Sequence, residues 1–159
     1  MKKYQITISN NRTLIGVFYN KKYELLYEKI WSTNEGLVKV DDKTLYRLIS
    51  TNIFKTNFKL INIEGITVYE THLLWSGSMQ IISHNSKFIL RQNHFLKNDF
   101  IVLNEKNEII IKLSIKTSMN KIKAFNFDVN DANIENLELL FFVIANGTLF
   151  YLNLKRITL

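Results

Sequence analysis

The chain has 159 residues, of which 47% are apolar and 22% charged, and its net charge is +7. This composition excludes wholesale disorder and predicts a single folded domain, residues 1–159, with a sizeable core. The absence of cysteine excludes disulfides, thiol catalysis and cysteine-ligated metal sites.

Short β-branched or aromatic runs alternate with tight turns of Gly, Asn, Asp and Ser along most of the chain. Runs of this length between such turns are typical of antiparallel hairpins. They predict twelve strands, over residues 4–9, 13–19, 22–31, 36–40, 43–50, 57–63, 66–75, 78–83, 86–92, 99–104, 107–115 and 121–127.

The middle of the chain contains a weak internal similarity. Residues 46–70 align without a gap onto residues 88–112, which places Leu48 on Leu90 and Phe58 on Phe100. Apolar positions coincide nearly throughout, and this ungapped register favours a structural repeat with a spacing of 42 residues.

The last part of the chain predicts a helix over residues 133–153. Asp131 and Asn133 are typical helix-start residues, and the carboxylates of Glu135 and Glu138 suit the positive end of a helix dipole. Beyond the first turn the helix has no polar face, so it must be buried on all sides.

Two environments can bury such a helix, a membrane or the inside of a protein barrel. The uncharged run 139–154 contains only 16 residues, four of them Asn146, Gly147, Thr148 and Asn153, whereas a spanning helix needs ~20 apolar residues. The sequence therefore favours a mainly β fold, a twelve-stranded antiparallel β-barrel that encloses one C-terminal hydrophobic helix. Gly147 would allow a strand to approach closely, and Asn146 would require a buried partner.

Several segments carry a family resemblance. They are Leu45-Tyr46-Arg47-Leu48, residues 58–65, Val68-Tyr69-Glu70, Trp75 and residues 87–91. Together with the strands and the final helix, they resemble the tubby C-terminal-like superfamily, nearest the small bacterial LURP-one-related proteins. The resemblance covers the whole chain and implies a closed barrel around a hydrophobic helix, used as a lipid-engaging module.

The sequence also departs from this family. Asn107 stands where the second repeat should have its turn glycine. There is no cysteine-rich palmitoylation tract and no calcium loop of the scramblase kind. The Lys/Arg pair that tubby proteins use for phosphoinositides has no residue-by-residue match in this chain.

No catalytic or metal-binding constellation can be assembled from the sequence. His72, His84 and His94 lie in three different segments and have no ligand-like spacing with acidic residues. No phosphate-binding glycine loop is present, and no two acids are set out as a catalytic pair. We therefore expect no enzymatic activity, no metal and no cofactor.

Two basic stretches contain no acidic residue. The first holds Lys43, Arg47, Lys55 and Lys59, and the second holds Lys112, Lys116, Lys121 and Lys123. Strand alternation places Lys121 and Lys123 on one face, and the last two strands could raise a lysine cluster near one barrel rim. Such a cluster would suit an anionic headgroup or phosphate, and the alternative is a solvated face. Phe54 and Phe95, beside lysines in the connectors, could stack on bases, insert at a membrane or plug a barrel end.

The charge distribution suggests the class of partner. Residues 1–127 carry 19 basic and 10 acidic side chains, whereas the helix start is acidic. We expect a non-enzymatic binding module that engages anionic lipid headgroups or another phosphorylated ligand. The alternative is a protein–protein interaction or scaffold role with no small ligand, and nucleic acid ranks behind both. The start MKKYQITISN lacks a signal-peptide core, so we expect a cytoplasmic or peripheral membrane location.

Overall fold

A computed structural model describes residues 1–9, 13–29, 32–51, 57–93, 98–131 and 133–157. These residues form twelve strands and one helix: β1 (Lys2–Ser9), β2 (Thr13–Phe18), β3 (Lys21–Lys29), β4 (Ser32–Val40), β5 (Lys43–Ser50), β6 (Phe58–Asn62), β7 (Thr67–Leu73), β8 (Met79–Ile82), β9 (Lys87–Gln92), β10 (Asp99–Leu103), β11 (Ile109–Ser118), β12 (Lys121–Val129) and α1 (Leu137–Ile157). The predicted fold class is confirmed.

The strands form one closed antiparallel barrel in which each strand pairs with its neighbours in sequence. The ring closes where β1 pairs with β12, with Tyr4 opposite Phe127 and Ile6 opposite Phe125. Side chains alternate between the interior and the outer surface, as strand geometry requires. Ile6, Phe125 and Phe127 are among the fully buried residues that face α1.

The strand directions define two ends of the barrel. The turns after the even-numbered strands lie at one end, where the chain also leaves β12 and enters α1, and we call this the helix-entry end. The turns after the odd-numbered strands, including β7–β8 and β11–β12, lie at the opposite end, which we call the far end.

The helix occupies the barrel interior. Its residues from Leu139 to Ala145 are all buried, and Phe141 packs its ring against Tyr4, Phe18 and Phe127 at centroid distances of 4.6–5.5 Å. The protein, not lipid, therefore buries the apolar helix, as the absence of a polar face predicted.

Both special positions of the helix have the predicted contacts. Asn146 is fully buried, and its Oδ1 accepts a 2.7 Å hydrogen bond from the hydroxyl of Tyr27 on β3. A Cβ atom on Gly147 would lie 2.7 Å from Sδ of Met79 and 3.3 Å from a methyl carbon of Leu90. The glycine thus lets the side chains of β8 and β9 reach the helix backbone.

The 42-residue spacing recurs in the hydrogen bonds of two turns. In the turns that start at Asn62 and Asn104, the backbone N–H of each asparagine donates to the carbonyl four positions on. Each asparagine Oδ1 also accepts two backbone N–H groups of its own turn. Asn107 has a φ of 60° and Gly65 a φ of 80°, so the asparagine adopts the left-handed conformation that the glycine has in the first copy.

A second pair of bonds has the same spacing. The N–H of Thr51 donates to the carbonyl of Asn57 at 3.0 Å, and the N–H of Asn93 donates to that of Asp99 at 2.8 Å. Strands β5–β7 and β9–β11 are therefore equivalent hairpin units.

The boundaries of the helix and of β4 differ from the prediction. The helix begins at Leu137, not at residue 133, because Asn136 has a φ of 54° and cannot continue a right-handed helix. Asp131 instead accepts the N–H of Asn133 in the turn before the helix. β4 begins at Ser32, four residues before the predicted start at Gly36, which pairs with Tyr27 within the sheet.

Candidate anion-binding surface

The two basic stretches lie on opposite walls of the barrel. Lys43 and Arg47 are on β5 and Lys59 is on β6, whereas the second stretch is on β11 and β12. Four strands separate the two sets in either direction around the ring. The eight predicted residues therefore do not form a single site, and Lys55 lies outside the described residues.

The first set is partly balanced by acidic residues. Arg47 forms an ion pair with Glu28 at 3.5 Å, and Lys59 lies opposite Glu70 in the β6–β7 register. Lys43 begins β5 at the helix-entry end, opposite Val40, and does not adjoin Arg47 or Lys59. An anion would have to compete with carboxylates for these cations, so this wall is a weak candidate.

The second set is carried by a projecting hairpin. On one side, β11 pairs with β10 only as far as Ser114, with one further backbone bond from Ile115 to Asn98. On the other side, β12 pairs with β1 only as far as Ala124. Residues 116–123, which we call the hairpin tip, extend beyond these pairings at the far end, and every residue of the tip except Ile122 is exposed.

Three lysines lie on the hairpin tip. Lys116 lies opposite Ala124, Lys121 lies opposite Ser118, and Lys123 is the extra residue at an irregularity between two pairs of the ladder. The tip contains no acidic residue. Lys112 is exposed on the same strand but lies opposite Asp128, below the tip, so it is not part of this cluster.

The turn of the hairpin tip has an unusual composition. Met119 and Asn120 have φ values of 52° and 61°, the left-handed pair of a type I′ turn. Gly, Asn and Asp are favoured at such positions, and an unbranched apolar residue costs about 1–2 kcal/mol there. Met119 is 95% exposed, so packing within the domain does not account for this choice. Met119 was not among the residues predicted from the sequence.

A crevice also opens at the far end, beside the helix. It is lined by Met79, Leu90, Phe100, Gly147 and Tyr151, among others, and none of the predicted lysines contributes to it. Its volume of about 10 Å³ admits little more than one water molecule. It is therefore too small for an organic ligand, and the lysine cluster lies on an open surface outside it.

The perturbed ionisable groups are mainly tyrosines that help to hold the barrel together. Burial raises the pKa of Tyr27, and burial followed by the charges of Glu135 and Glu138 raises the pKa of Tyr69. The hydrogen bond to Tyr19, together with partial burial, raises the pKa of Tyr4 to about 12. These hydroxyls therefore stay protonated at neutral pH, and those of Tyr27 and Tyr69 donate hydrogen bonds to Oδ1 of Asn146 and to the carbonyl of Glu135.

The described part of the chain has no group of three His, Asp or Glu side chains that could hold a metal ion. His72 contacts Glu70 at 3.5 Å on the outer surface, and His94 lies outside the described residues, as do Phe54 and Phe95. A search for helices able to span a membrane, made over the described residues, finds none.

The fold and the lysine cluster define this protein as a closed twelve-stranded β-barrel with an internal helix and one strongly basic hairpin. Comparison of the chain with protein-family models, curated proteins and solved structures gives no significant match.

Proposed function

We propose that this protein is a non-enzymatic binding module of the tubby-like type, in which the hairpin tip engages an anionic, phosphate-bearing ligand. One observation carries the proposal: Lys116, Lys121 and Lys123 are exposed together on a tip that contains no carboxylate. Lysine ammonium groups are mobile point charges that bind phosphates of varied geometry, and they suit an open surface better than a closed pocket.

The neighbouring residues support the same ligand class. Asp99, at the start of the adjoining strand β10, lies opposite Ser114, two residues before the tip begins. Thr117, Ser118 and Asn120 supply exposed polar groups between the lysines. A phosphate approaching the tip therefore meets cations and hydrogen-bond donors before it meets a carboxylate.

The test is binding to vesicles of phosphatidylcholine with and without about 30% phosphatidylserine. We expect binding only to the anionic vesicles. Changing Lys116, Lys121 and Lys123 to Gln should weaken it roughly 100-fold, because each surface lysine contributes about 1 kcal/mol at an anionic membrane. Equal, negligible sedimentation with both vesicles, together with no affinity for inositol phosphates, would refute the proposal.

The matched control changes Lys2, Lys21 and Lys106 to Gln. These three lysines are also exposed, but they lie at the helix-entry end. Because each variant loses three lysines, the control and the tip variant have the same net charge. We expect it to bind nearly as well as the parent protein. An equal loss in both variants would mean that only total charge matters. Stronger binding to double-stranded DNA than to vesicles, with a steep salt dependence, would favour nucleic acid instead.

A protein–protein role is the second candidate, and a different surface favours it. The turn after β6 exposes Ile63 and Ile66 on either side of Glu64 at the helix-entry end. Apolar residues next to a carboxylate suit a protein surface better than an anionic one. A stoichiometric partner that is lost on changing both isoleucines to Ser would support this role, and retention of that partner would exclude the turn.

A further inference from the structure

The far end contains a second exposed side chain that the hairpin tip does not explain. Trp75 lies in the turn after β7 and is fully exposed, while its neighbour Leu74 is partly exposed. Because β7 and β11 are both odd-numbered strands, their following turns lie at the same end of the barrel. The tryptophan and the lysine-bearing tip therefore lie on one rim.

The turn that carries Trp75 is well defined. The N–H of Leu74 donates to the carbonyl of Ser78 at 2.8 Å, and the N–H of Gly77 donates to that of Leu74 at 3.0 Å. Gly77 has a φ of 83°, and the hydroxyls of Ser76 and Ser78 are 2.7 Å apart. The indole is thus presented to solvent by an ordered turn.

A turn with the same pattern provides a comparison at the helix-entry end. In the turn that begins at Asn62, the residue at the position of Trp75 is Ile63, which is 75% exposed. Glu64 follows it directly. The two turns are alike in backbone, but Ile63 is followed by a carboxylate, whereas Trp75 lies between the uncharged residues Leu74 and Ser76.

The charges at the two ends also differ. Turns at the helix-entry end include acidic residues, namely Asp41, Asp42, Glu64, Glu105 and Asp131. Among the described residues of the far-end turns and the hairpin tip there is no acidic side chain. The nearby carboxylates of Asp99 and Glu28 lie within β10 and β3, and Glu28 is paired with Arg47. A large planar anionic surface therefore meets less repulsion at the far end.

We infer that the barrel docks end-on against an anionic lipid bilayer, with Trp75 and Met119 entering the headgroup region from two separate turns of the far end and the hairpin-tip lysines neutralising the surface. Tryptophan favours the membrane–water interface, and lysine is attracted to anionic headgroups. Met119 supplies an apolar side chain at the point where the hairpin projects furthest. The inference rests on the proposed function and specifies its ligand as a membrane, not a soluble phosphate.

Fluorescence of a single tryptophan tests this orientation. The chain has two tryptophans, so the variant Trp31→Phe leaves Trp75 as the only indole. On adding phosphatidylserine-containing vesicles, we expect a blue shift of its emission and quenching by lipids brominated near the headgroup. The matched probe is the triple variant Trp31→Phe, Trp75→Phe, Ile63→Trp, which places the indole at the same turn position of the helix-entry end and should show neither change.

Removal of the anchors gives a second measurement. The pair Trp75→Ser and Met119→Asn should weaken vesicle binding about tenfold or more, because the interfacial side chains are lost while every lysine is kept. Affinity for inositol hexakisphosphate, measured by calorimetry, should stay within about twofold, since that contact depends on charge. The circular dichroism spectrum of this double variant should match that of the parent protein.

The outcomes separate this inference from the proposed function. Vesicle binding without a change in Trp75 emission, or with an equal change at position 63, overturns the end-on orientation and leaves the anion-binding function standing. Binding of inositol hexakisphosphate but not vesicles has the same consequence. Failure to bind either ligand overturns both. A protein partner that requires Trp75, in the absence of vesicle binding, overturns the membrane inference.

Discussion

The hydroxyl of Tyr27 on β3 donates a 2.7 Å hydrogen bond to Oδ1 of Asn146, at the middle of the enclosed helix. The side chain of Asn146 is fully buried, and burial raises the pKa of Tyr27. This contact fixes the depth of the helix in the barrel, because a buried amide that slips by one turn loses its partner.

We expect Tyr27→Phe to lower the free energy of unfolding by about 1–3 kcal/mol, since it leaves a buried amide oxygen without this donor. A double-mutant cycle with Asn146→Leu should give a coupling energy of about 1 kcal/mol or more. Urea denaturation of the parent protein, the two single variants and the double variant measures this coupling. Strictly additive losses would show that the two side chains do not depend on one another.

Stability should decline above pH 10. An unfolded tyrosine ionises near pH 10, whereas Tyr4, Tyr27 and Tyr69 have raised pKa values in the folded barrel. Their contribution is therefore fully present below pH 10 and is lost as the pH rises toward the folded values. The buried phenols of Tyr27 and Tyr69 should each add about 1.4 kcal/mol per pH unit to this decline, whereas solvent screening reduces the contribution of the more exposed Tyr4.

Tyr27→Phe should make the decline of stability above pH 10 less steep, because it removes the contribution of one buried tyrosine. Denaturation midpoints at several pH values between 9 and about 11.5 measure the slope, with ionisation followed by phenolate absorbance. Asn146→Leu is the matched control, because it disrupts the same contact but keeps the buried phenol. Equal slopes in the two variants would contradict the assignment of this pH dependence to Tyr27.

The buried hydroxyl of Thr71 replaces part of the sheet ladder. Its Oγ1 donates to the carbonyl of Phe58 and accepts from the N–H of the same residue, both at 3.1 Å. Thr71→Val should cost about 1–3 kcal/mol, because it leaves two buried backbone groups without this partner. Thr71→Ser keeps the hydroxyl and should cost about 1 kcal/mol for the lost methyl group. Thermal unfolding compares the two, and equal losses would exclude the hydroxyl as the cause.

The repeat predicts equal effects at two distant positions. Asn62→Ala and Asn104→Ala each remove an oxygen that accepts two backbone N–H groups of a turn. Each should cost about 1 kcal/mol, and the double variant should show the sum, because the turns are separate. Asn→Asp at either position keeps an acceptor oxygen and should cost less. Clearly unequal losses would mean that the two turns, although alike in hydrogen bonding, differ in energy.

Most of the fold could be predicted because its signals are local. The consecutive apolar residues from Leu139 to Ile144 leave the helix without a polar face, and turn residues such as Asp41 and Asp42 separate the strands. The errors came from residues whose role depends on distant partners. Gly36 resembles a turn residue, but a Cβ atom there would lie 2.6 Å from the carbonyl oxygen of Leu26, so the close approach of β3 explains the glycine.

The candidate site was harder to predict than the fold. The two basic stretches look equivalent in sequence, and only the ring order shows that Arg47 lies beside Glu28 while Lys121 lies on a hairpin tip that contains no acidic residue. Met119 and Trp75 were not recognised as residues of one rim. Counting the strands would have shown that both residues lie at the same end, since all turns after odd-numbered strands must lie at one end of an antiparallel barrel.

The closure between β1 and β12 makes this domain indivisible, despite its repeated hairpins. Repeats stacked in an open array can be removed one at a time, because each contacts only its neighbours. In a ring, deleting either hairpin unit would create two unpaired strand edges and would at the same time expose the helix. We therefore expect the domain to unfold in a single cooperative step, with no stable fragment to be recovered by cutting it at the repeat boundary.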